Sequence, residues 1–182
     1  MRTATDNLKN DHVHILRLIA VMEAITQMPE PNTEHVETIV ELIRNFADGL
    51  HHNKEENLLF PKMAEKGFSF EKGPVAVMMH EHEQGRIFTK GVAENMELYK
   101  TGDLRAIADV YKNMLGYAEL LTAHISKENN ILFRMADNAL SEEEQQKLLS
   151  EFEKAELNPV CGGLVKDCID QIDKLARAYH LE

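Results

Sequence analysis

The stretch LHHNKEENLLFPKM, at residues 50–63, decides the fold because the chain carries a second copy of it. The copy, AHISKENNILFRM at residues 123–135, begins 73 residues later. Both contain a His followed four positions later by a Glu, within a run of apolar residues. A pattern that occurs twice indicates two structurally equivalent helices. Superposing the copies pairs His51 with His124, Lys54 with Lys127, Glu55 with Glu128, Asn57 with Asn130, Leu59 with Leu132 and Phe60 with Phe133.

The spacing of His and Glu sets their direction. Residues four apart on an α-helix lie one turn above each other on the same face. His51 and Glu55 therefore direct a nitrogen and a carboxylate to the same point, and their counterparts in the copy do the same. Apolar residues flank the pair on this face, which predicts that it faces the core. His52 and Glu56 have no such counterpart, so we expect them to lie outside the pair in supporting roles.

The composition excludes several classes of protein. Acidic residues outnumber basic ones by 31 to 20, the formal charge is −11, and Lys and Arg form no stripe, so nucleic acid and membranes are not expected partners. The first residues lack the apolar segment of a signal peptide, and no window approaches the ~18 apolar residues of a membrane helix. We therefore expect a soluble, cytoplasmic protein whose 182 residues form a single domain.

Apolar residues follow helical spacing along nearly the whole chain. Short turns rich in Pro, Gly, Asn and Asp separate four long helices, which predicts an all-α, up-down-up-down four-helix bundle with two additional C-terminal helices. We expect helix starts at Asn32 or Thr33, Pro74, Asp103 and Ser141, and a kink or end at Pro61. The predicted bundle core covers about residues 5–137, with helices at 6–28, 32–61, 74–100 and 103–136, and the C-terminal extension covers about 141–182 with a last helix after residue 159.

The two cysteines, Cys161 and Cys168, both lie in this extension. Seven residues of helix would separate them by about 10 Å, which is too far for a disulfide. We therefore predict free, partly buried thiols.

The repeat extends to the first and third helices. His12 precedes His51 by 39 residues and His82 precedes His124 by 42, so each half of the bundle is a hairpin with one early His and one His-x-x-x-Glu. Two such hairpins predict a pseudo-twofold arrangement around one central site. Unpaired buried ions cost several kcal/mol each, and bound cations remove that cost. The four His and two Glu that share this interior therefore predict a metal site.

The ligand types narrow the choice of metal. Imidazole and carboxylate without thiolate argue against a Cys-rich structural zinc site and suit Fe, Mn or Zn. Two carboxylates on different helices suit a bridged pair of ions, as in other bundles with inward-facing Glu and His. Two irons are favoured, and Mn or Zn is less favoured.

Four motifs together resemble the hemerythrin-like HHE cation-binding family over about residues 5–137. They are Asp11-His12, His51-x-x-x-Glu55-Glu56-x-x-Leu59-Phe60-Pro61, Glu81-His82-Glu-Gln-Gly-Arg86 and His124-x-x-x-Glu128. The resemblance implies a four-helix bundle with a non-haem di-iron centre, bridged by two carboxylates and an oxo or hydroxo group. It implies the metal ligands His12, His51, Glu55, His82, His124 and Glu128.

The chain departs from the oxygen-carrying hemerythrins in the third and fourth helices. Those proteins have two His one turn apart in the third helix and an Asp in the fourth, whereas here Met78 and Arg86 flank His82 and the carboxylate is Glu128. The sequence instead resembles the branch with four His and two Glu, which includes bacterial iron–sulfur-centre repair proteins active in nitrosative stress.

Counting bonds indicates an incompletely filled centre. Two six-coordinate irons need about 12 bonds, of which four His, two bridging Glu and one oxo bridge supply about ten. About two positions remain for water, O₂, NO or peroxide. A fifth nitrogen from His14, His52 or His80 would leave about one and would favour simple O₂ binding.

Three further residues have open assignments. Tyr117 lies two turns before His124 and is a candidate either for the lining of the site or for the apolar core. Glu56 and Glu81 stand beside ligands and are either hydrogen-bond acceptors or proton carriers for the site, or solvated side chains.

These features favour a di-iron protein that binds or reacts with O₂, NO or peroxide in sensing, stress response or iron handling. A di-iron enzyme, such as a peroxidase, an NO reductase or an iron–sulfur repair protein, would share every ligand. A metal-stabilised interaction module, with the C-terminal helices docking a protein partner, is the third alternative.

Overall fold

The computed structural model describes residues 2–181, and in that range the fold is all-helical, as predicted. The first four helices form the bundle, and two shorter ones follow. Two of the bundle helices change from α- to π-type hydrogen bonding and back. The helices are α1 (Ala4–Thr26), α2 (Thr33–Leu42, then π-helical Ile43–His52 and Glu55–Leu59, then Phe60–Glu65), α3 (Pro74–Lys100), α4 (Ala106–Lys127, then π-helical Glu128–Leu132, then Phe133–Ala139), α5 (Glu142–Glu156) and α6 (Val165–Ala178).

The π turns occur at equivalent places in the two copies of the repeat. The Phe60 N–H donates to the carbonyl of Glu55, and the Phe133 N–H donates to that of Glu128, five residues back in each case. Such turns are rare in proteins, and those that occur often lie at functional sites. They also explain how the helix continues past Pro61, where the sequence predicts a kink or an end: the regular hydrogen-bond ladder is already interrupted where the proline lacks its N–H.

Most of the predicted helix starts are confirmed. The Asn32 side chain caps α2 by accepting from the His35 N–H at 3.1 Å, and Pro74 occupies the first turn of α3. Ser141 forms the expected capping box of α5. The predicted cap at Asp103 is wrong by two residues, because α4 begins at Ala106 and Arg105 occupies the cap position. The Asp103 carboxylate accepts from the Arg105 N–H at 3.2 Å, before the helix begins.

Two apolar clusters enclose a polar layer in the middle of the bundle. On α1, for example, His12 lies between Leu8 of one cluster and Ile15 of the other. On α3, His82 lies between Met78 and Val92 in the same way. The ligand-bearing level of the bundle is therefore shielded from water along the helix axes in both directions.

Small residues let α3 and α4 approach closely. A Cβ atom added at Gly116 would lie 2.5 Å from Cε1 of Phe88, and one added at Gly91 would lie 2.4 Å from Oδ1 of Asn113. These glycines therefore serve packing, although glycine lowers helix propensity.

The C-terminal helices complete the apolar clusters. Phe152 of α5 belongs to the same cluster as Leu8, and Ile172 of α6 belongs to the same cluster as Ile15. None of the helices in residues 2–181 is long and apolar enough to span a lipid bilayer.

The prediction of free cysteines is wrong. Cys161 and Cys168 form a disulfide, with their Cα atoms 5.7 Å apart. The helical spacing assumed for them does not apply, because residues 160–163 form a turn and α6 begins only at Val165. Cys161, at φ 53°, lies in this turn and can reach the first turns of α6.

Candidate metal centre

The structure brings all six predicted ligand residues into the polar layer, where each is at most 1% exposed. They form two groups in which the ligating atoms lie within 4.8 Å of one another. Glu55 and Glu128 belong to both groups, so two carboxylates from different helices lie between two pairs of imidazoles. The groups are His12, His51, Glu55 and Glu128 on one side, and His82, His124, Glu55 and Glu128 on the other.

The nitrogen atoms of each pair lie at a distance that suits a shared ion. The Nε2 atoms of His12 and His51 are 3.1 Å apart, and so are those of His82 and His124. Two nitrogens bound at ~2.1 Å and at right angles to one ion would lie about 3 Å apart. The geometry of each pair therefore fits adjacent ligands on one metal.

Each of the two carboxylates lies near one histidine of each imidazole pair. Oε2 of Glu128 lies 3.2 Å from Nε2 of His12, and Oε1 of the same residue lies 3.1 Å from Nε2 of His124. Oε2 of Glu55 lies 3.8 Å from Nε2 of His51 and 3.4 Å from Nε2 of His82. None of the four oxygens has a hydrogen-bond partner in the described part of the chain, although all are buried. A pair of cations is the simplest group that satisfies them.

Each candidate ligand histidine makes a hydrogen bond through Nδ1, on the side of the ring away from the site. An acceptor at Nδ1 fixes the tautomer, so that the Nε2 lone pair faces the interior. Without a proton or a cation, the facing lone pairs of each imidazole pair would repel. The Nδ1 contacts are His12 with Asn129 at 2.9 Å, His51 with Asp11 at 3.2 Å, His82 with Glu56 at 2.7 Å and His124 with Glu81 at 2.9 Å.

These contacts form a closed ring around the bundle. Asp11, the neighbour of His12 on α1, holds the histidine of α2, and Glu56, the neighbour of Glu55 on α2, holds that of α3. Glu81 of α3 holds the histidine of α4, and Asn129 of α4 returns to that of α1. Each helix thus supplies ligands and orients a ligand of the next helix. Glu56 and Glu81 are hydrogen-bond acceptors rather than solvated side chains.

Basic side chains balance the three acidic members of the ring. Lys54 lies 2.6 Å from Asp11, Arg86 donates to Glu56 at 2.7 Å, and Lys127 donates to Glu81. Burial favours the neutral acids, but hydrogen bonds from the histidines and the basic groups outweigh it and lower the pKa of Asp11, Glu56 and Glu81. The three acids therefore remain ionised acceptors.

Two of the candidate ligands, His124 and Glu128, have strongly altered affinities for protons. Burial tends to lower the pKa of His124, but the charge of Glu128 and the hydrogen bond from His124 to Glu81 raise it to about 10. Burial acts against ionisation of Glu128 as well, yet His124 and His12 hold its pKa well below the usual range. A metal cation would replace the protons that these groups otherwise share.

Of the three candidates for a fifth nitrogen, only His52 reaches the site. His80 is exposed, and His14 is half-buried with its ring centroid 6.4 Å from that of Phe46. His52 is buried, its ring stacks on His82 at a centroid distance of 3.8 Å, and its ligating atom lies within 4.8 Å of those of His82 and His124. The expectation that His52 lies away from the site is wrong, because it falls in the π-helical segment, where successive side chains diverge less than on an α-helix.

A cavity of about 170 Å³ reaches the site from the side of His82. Its buried lining residues include His52 and Tyr117, and its more exposed ones include Arg44, Arg86 and Lys90. Tyr117, whose role the sequence left open, is thus both a core residue and part of this lining.

Comparison with known proteins agrees with this geometry. The family model described as Hemerythrin HHE cation binding domain matches residues 3–136. The chain belongs to the hemerythrin HHE family. Membership implies metal binding, and the clustered His and Glu side chains are a suitable site for it.

Curated relatives of this HHE protein occur in mycobacteria. An uncharacterized protein of Mycobacterium bovis and uncharacterized proteins of two Mycobacterium tuberculosis strains are each 23% identical to it over 161 residues. The alignment covers 85% of this chain and 61% of each relative, so the chain spans about three fifths of their length. No solved structure gave a significant match.

Sequence reasoning missed two members of the HHE site. The repeat identifies Lys54 only as a matched position, although it is fully buried against Asp11. The repeat gives no role to Asn129, although it occupies the repeat position of Glu56. The sequence does contain a feature that points to both residues, because each lies next to a candidate ligand. In the ring, the residues that adjoin candidate ligands hold the histidines.

Proposed function

We propose that this protein holds two iron ions and binds or reacts with O₂, NO or peroxide in sensing, stress response or iron handling. One ion is assigned to His12 and His51 and the other to His82 and His124. The observation that carries the proposal is that the two groups share Glu55 and Glu128 while all four carboxylate oxygens lack hydrogen bonds.

The donor set is compatible with iron. It consists of imidazoles and carboxylates, with no thiolate in the groups that the described residues form. Such donors suit iron and manganese, and two shared carboxylates suit a bridged pair of ions. Bound iron would supply redox chemistry and open positions for a small ligand.

The chain itself would orient the ligands and exclude water. The Nδ1 contacts hold the imidazole planes, and the two apolar clusters close the site above and below. A small molecule would approach from the cavity at His82, since the lining of this cavity runs from exposed side chains to a ligand.

Metal analysis with matched variants tests the proposal. The protein loaded under anaerobic conditions and then exposed to air should contain about two irons per chain and should show near-ultraviolet bands of a bridged ferric pair. His12→Gln should lower the iron content toward one. His14→Gln, two residues away on the same helix and half-buried against Phe46, should leave it unchanged.

The result that would refute the proposal is one zinc per chain and no absorption from iron. Spectra with O₂, NO and peroxide then separate the roles: a reversible change on removal of O₂ supports a carrier or sensor, and turnover of NO or peroxide supports an enzyme.

A further inference from the structure

Two residues that line the cavity beside His82 carry buried polar atoms that the protein itself does not satisfy. The hydroxyl of Tyr117 and Nε2 of His52 are both buried and have no hydrogen-bond partner among the described residues. Both residues line the cavity. Unsatisfied buried polar atoms of a native protein indicate a bound water, ion or ligand.

One of the two atoms is a hydrogen-bond donor and the other is an acceptor. A phenol donates its O–H, and burial raises the pKa of Tyr117, so the proton is retained. His52 has Nδ1 3.3 Å from Oδ1 of Asp48, which accepts its N–H and leaves a lone pair on Nε2. Asp48 is held in turn by Nε of Arg86 at 2.9 Å. The buried residues of the lining thus carry one donor and one acceptor, and one of these residues stacks on a candidate metal ligand.

We propose that this cavity is the binding site for hydrogen peroxide, with Tyr117 donating a hydrogen bond to one oxygen and His52 accepting one from the other oxygen. Peroxide carries both an acceptor and a donor, whereas O₂ and NO carry no hydrogen to donate to His52. The inference rests on the proposed iron centre and selects one of its three small ligands.

The dimensions and the charge of the cavity agree with this ligand. Its volume of about 170 Å³ far exceeds the roughly 10–15 Å³ that one water needs, so a molecule of two heavy atoms fits. The basic side chains of Arg44, Arg86 and Lys90 line it in a chain whose formal charge is −11. They favour a ligand that is polar and becomes anionic on binding a metal.

Ligand titration of the iron-loaded full chain tests the proposal. Hydrogen peroxide and azide, an acceptor without a hydrogen, are mixed with the protein, and the initial absorbance change gives each apparent affinity. Tyr117→Phe removes one hydrogen bond and should weaken peroxide binding about threefold to tenfold. His52→Leu should weaken peroxide binding to a similar extent and leave azide binding unchanged, because azide donates nothing to the imidazole.

Tyr111→Phe is the matched control. Tyr111 lies on the same helix as Tyr117 but donates to the carbonyl of Met28 at 2.9 Å, outside the cavity, so this variant should bind both probes normally. Iron content and the spectrum before ligand addition are recorded for every variant.

Four results would overturn the proposal. If Tyr117→Phe binds peroxide with unchanged affinity, Tyr117 is not a donor to the ligand. If His52→Leu loses equal affinity for peroxide and azide, His52 is not an acceptor from the ligand. If His52→Leu has a changed iron content or spectrum before any ligand is added, His52 is a metal ligand instead. Failure of the unaltered protein to take up iron would refute the proposed function as well, whereas the first three results leave it standing.

Discussion

Replacing Lys54 by Met is expected to destabilise the protein strongly. The ammonium group is fully buried, 2.6 Å from Asp11, 2.7 Å from Asn7 and 3.0 Å from Glu156, and it lies 5.6 Å from the ring centroid of Phe152. It therefore joins α1, which carries a ligand, to α5, which follows the residues that match the family model.

The expected loss of stability depends on which charged groups the substitution leaves buried and unpaired. Met keeps most of the apolar stem, so the loss is mainly that of the charge. Removing one partner of a buried ion pair costs about 3–5 kcal/mol, since the other charge stays buried and unpaired. Asp11 is 4% exposed and suffers this loss, whereas Glu156, with 27% of its side chain exposed, can turn to water. We therefore expect the lower end of the range, about 3 kcal/mol.

The internal repeat supplies the control. Lys127 occupies the repeat position of Lys54 and pairs with Glu81, the counterpart of Asp11. Its side chain is 38% exposed, so Lys127→Met should cost only about 0.2–1 kcal/mol. The two variants make the same chemical change at equivalent places in the bundle and differ in burial.

Urea unfolding of the metal-free proteins at neutral pH, followed by circular dichroism, gives both values. With a slope of about 1–3 kcal/mol per M, a loss of about 3 kcal/mol moves the midpoint by at least ~1 M. A loss of less than about 1 kcal/mol in Lys54→Met, or equal losses in the two variants, would show that burial does not set the strength of this ion pair.

Three further predictions concern packing, pH and the disulfide. Gly116→Ala should cost about 1–3 kcal/mol in thermal unfolding because its Cβ would overlap an aromatic ring, whereas Gly85→Ala, with its nearest neighbour at 3.5 Å, should gain up to about 1 kcal/mol. The pKa of His124 is raised from 6.5 to about 10, so the metal-free protein should lose stability as the pH rises between these values, by at most ~1.4 kcal/mol per pH unit. The iron-loaded protein holds no such proton, so its stability should not fall in this way. Reduction of Cys161–Cys168, at a sequence separation of 7, should cost at most about 2.5 kcal/mol in urea unfolding, and Cys161→Ala should make the protein insensitive to the reductant.

The sequence predicts the bundle and the grouping of the six ligand residues because both follow from spacing. Apolar periodicity defines the helices, and the repeat assigns His51 and His124 to equivalent places. The ring of acceptors also follows a sequence rule, since each acceptor adjoins a ligand, but the rule becomes visible only once neighbouring helices are known.

The misses share a physical cause, which is local departure from regular helix. The π-helical segment turns His52 inward, although an α-helix would place it away from His51. The turn at residues 160–163 brings Cys161 to Cys168, although a continuous helix would separate them. Spacing arguments assume one helical period, and neither segment keeps it.

The two halves of the site are unequal because the repeat is broken on α2. The register that pairs His51 with His124 places His52 opposite Ile125 and Glu56 opposite Asn129. Both departures act on His82, since His52 stacks on it and Glu56 holds its Nδ1. The cavity opens at His82, and His12 does not line it. The phenylalanine contacts do not create this difference, because Phe60 stacks on His82 at 6.1 Å as Phe133 stacks on His12 at 5.5 Å. We therefore expect a small ligand to approach the ion proposed at His82 and His124, and two positions of α2 create the difference between the two proposed ion sites.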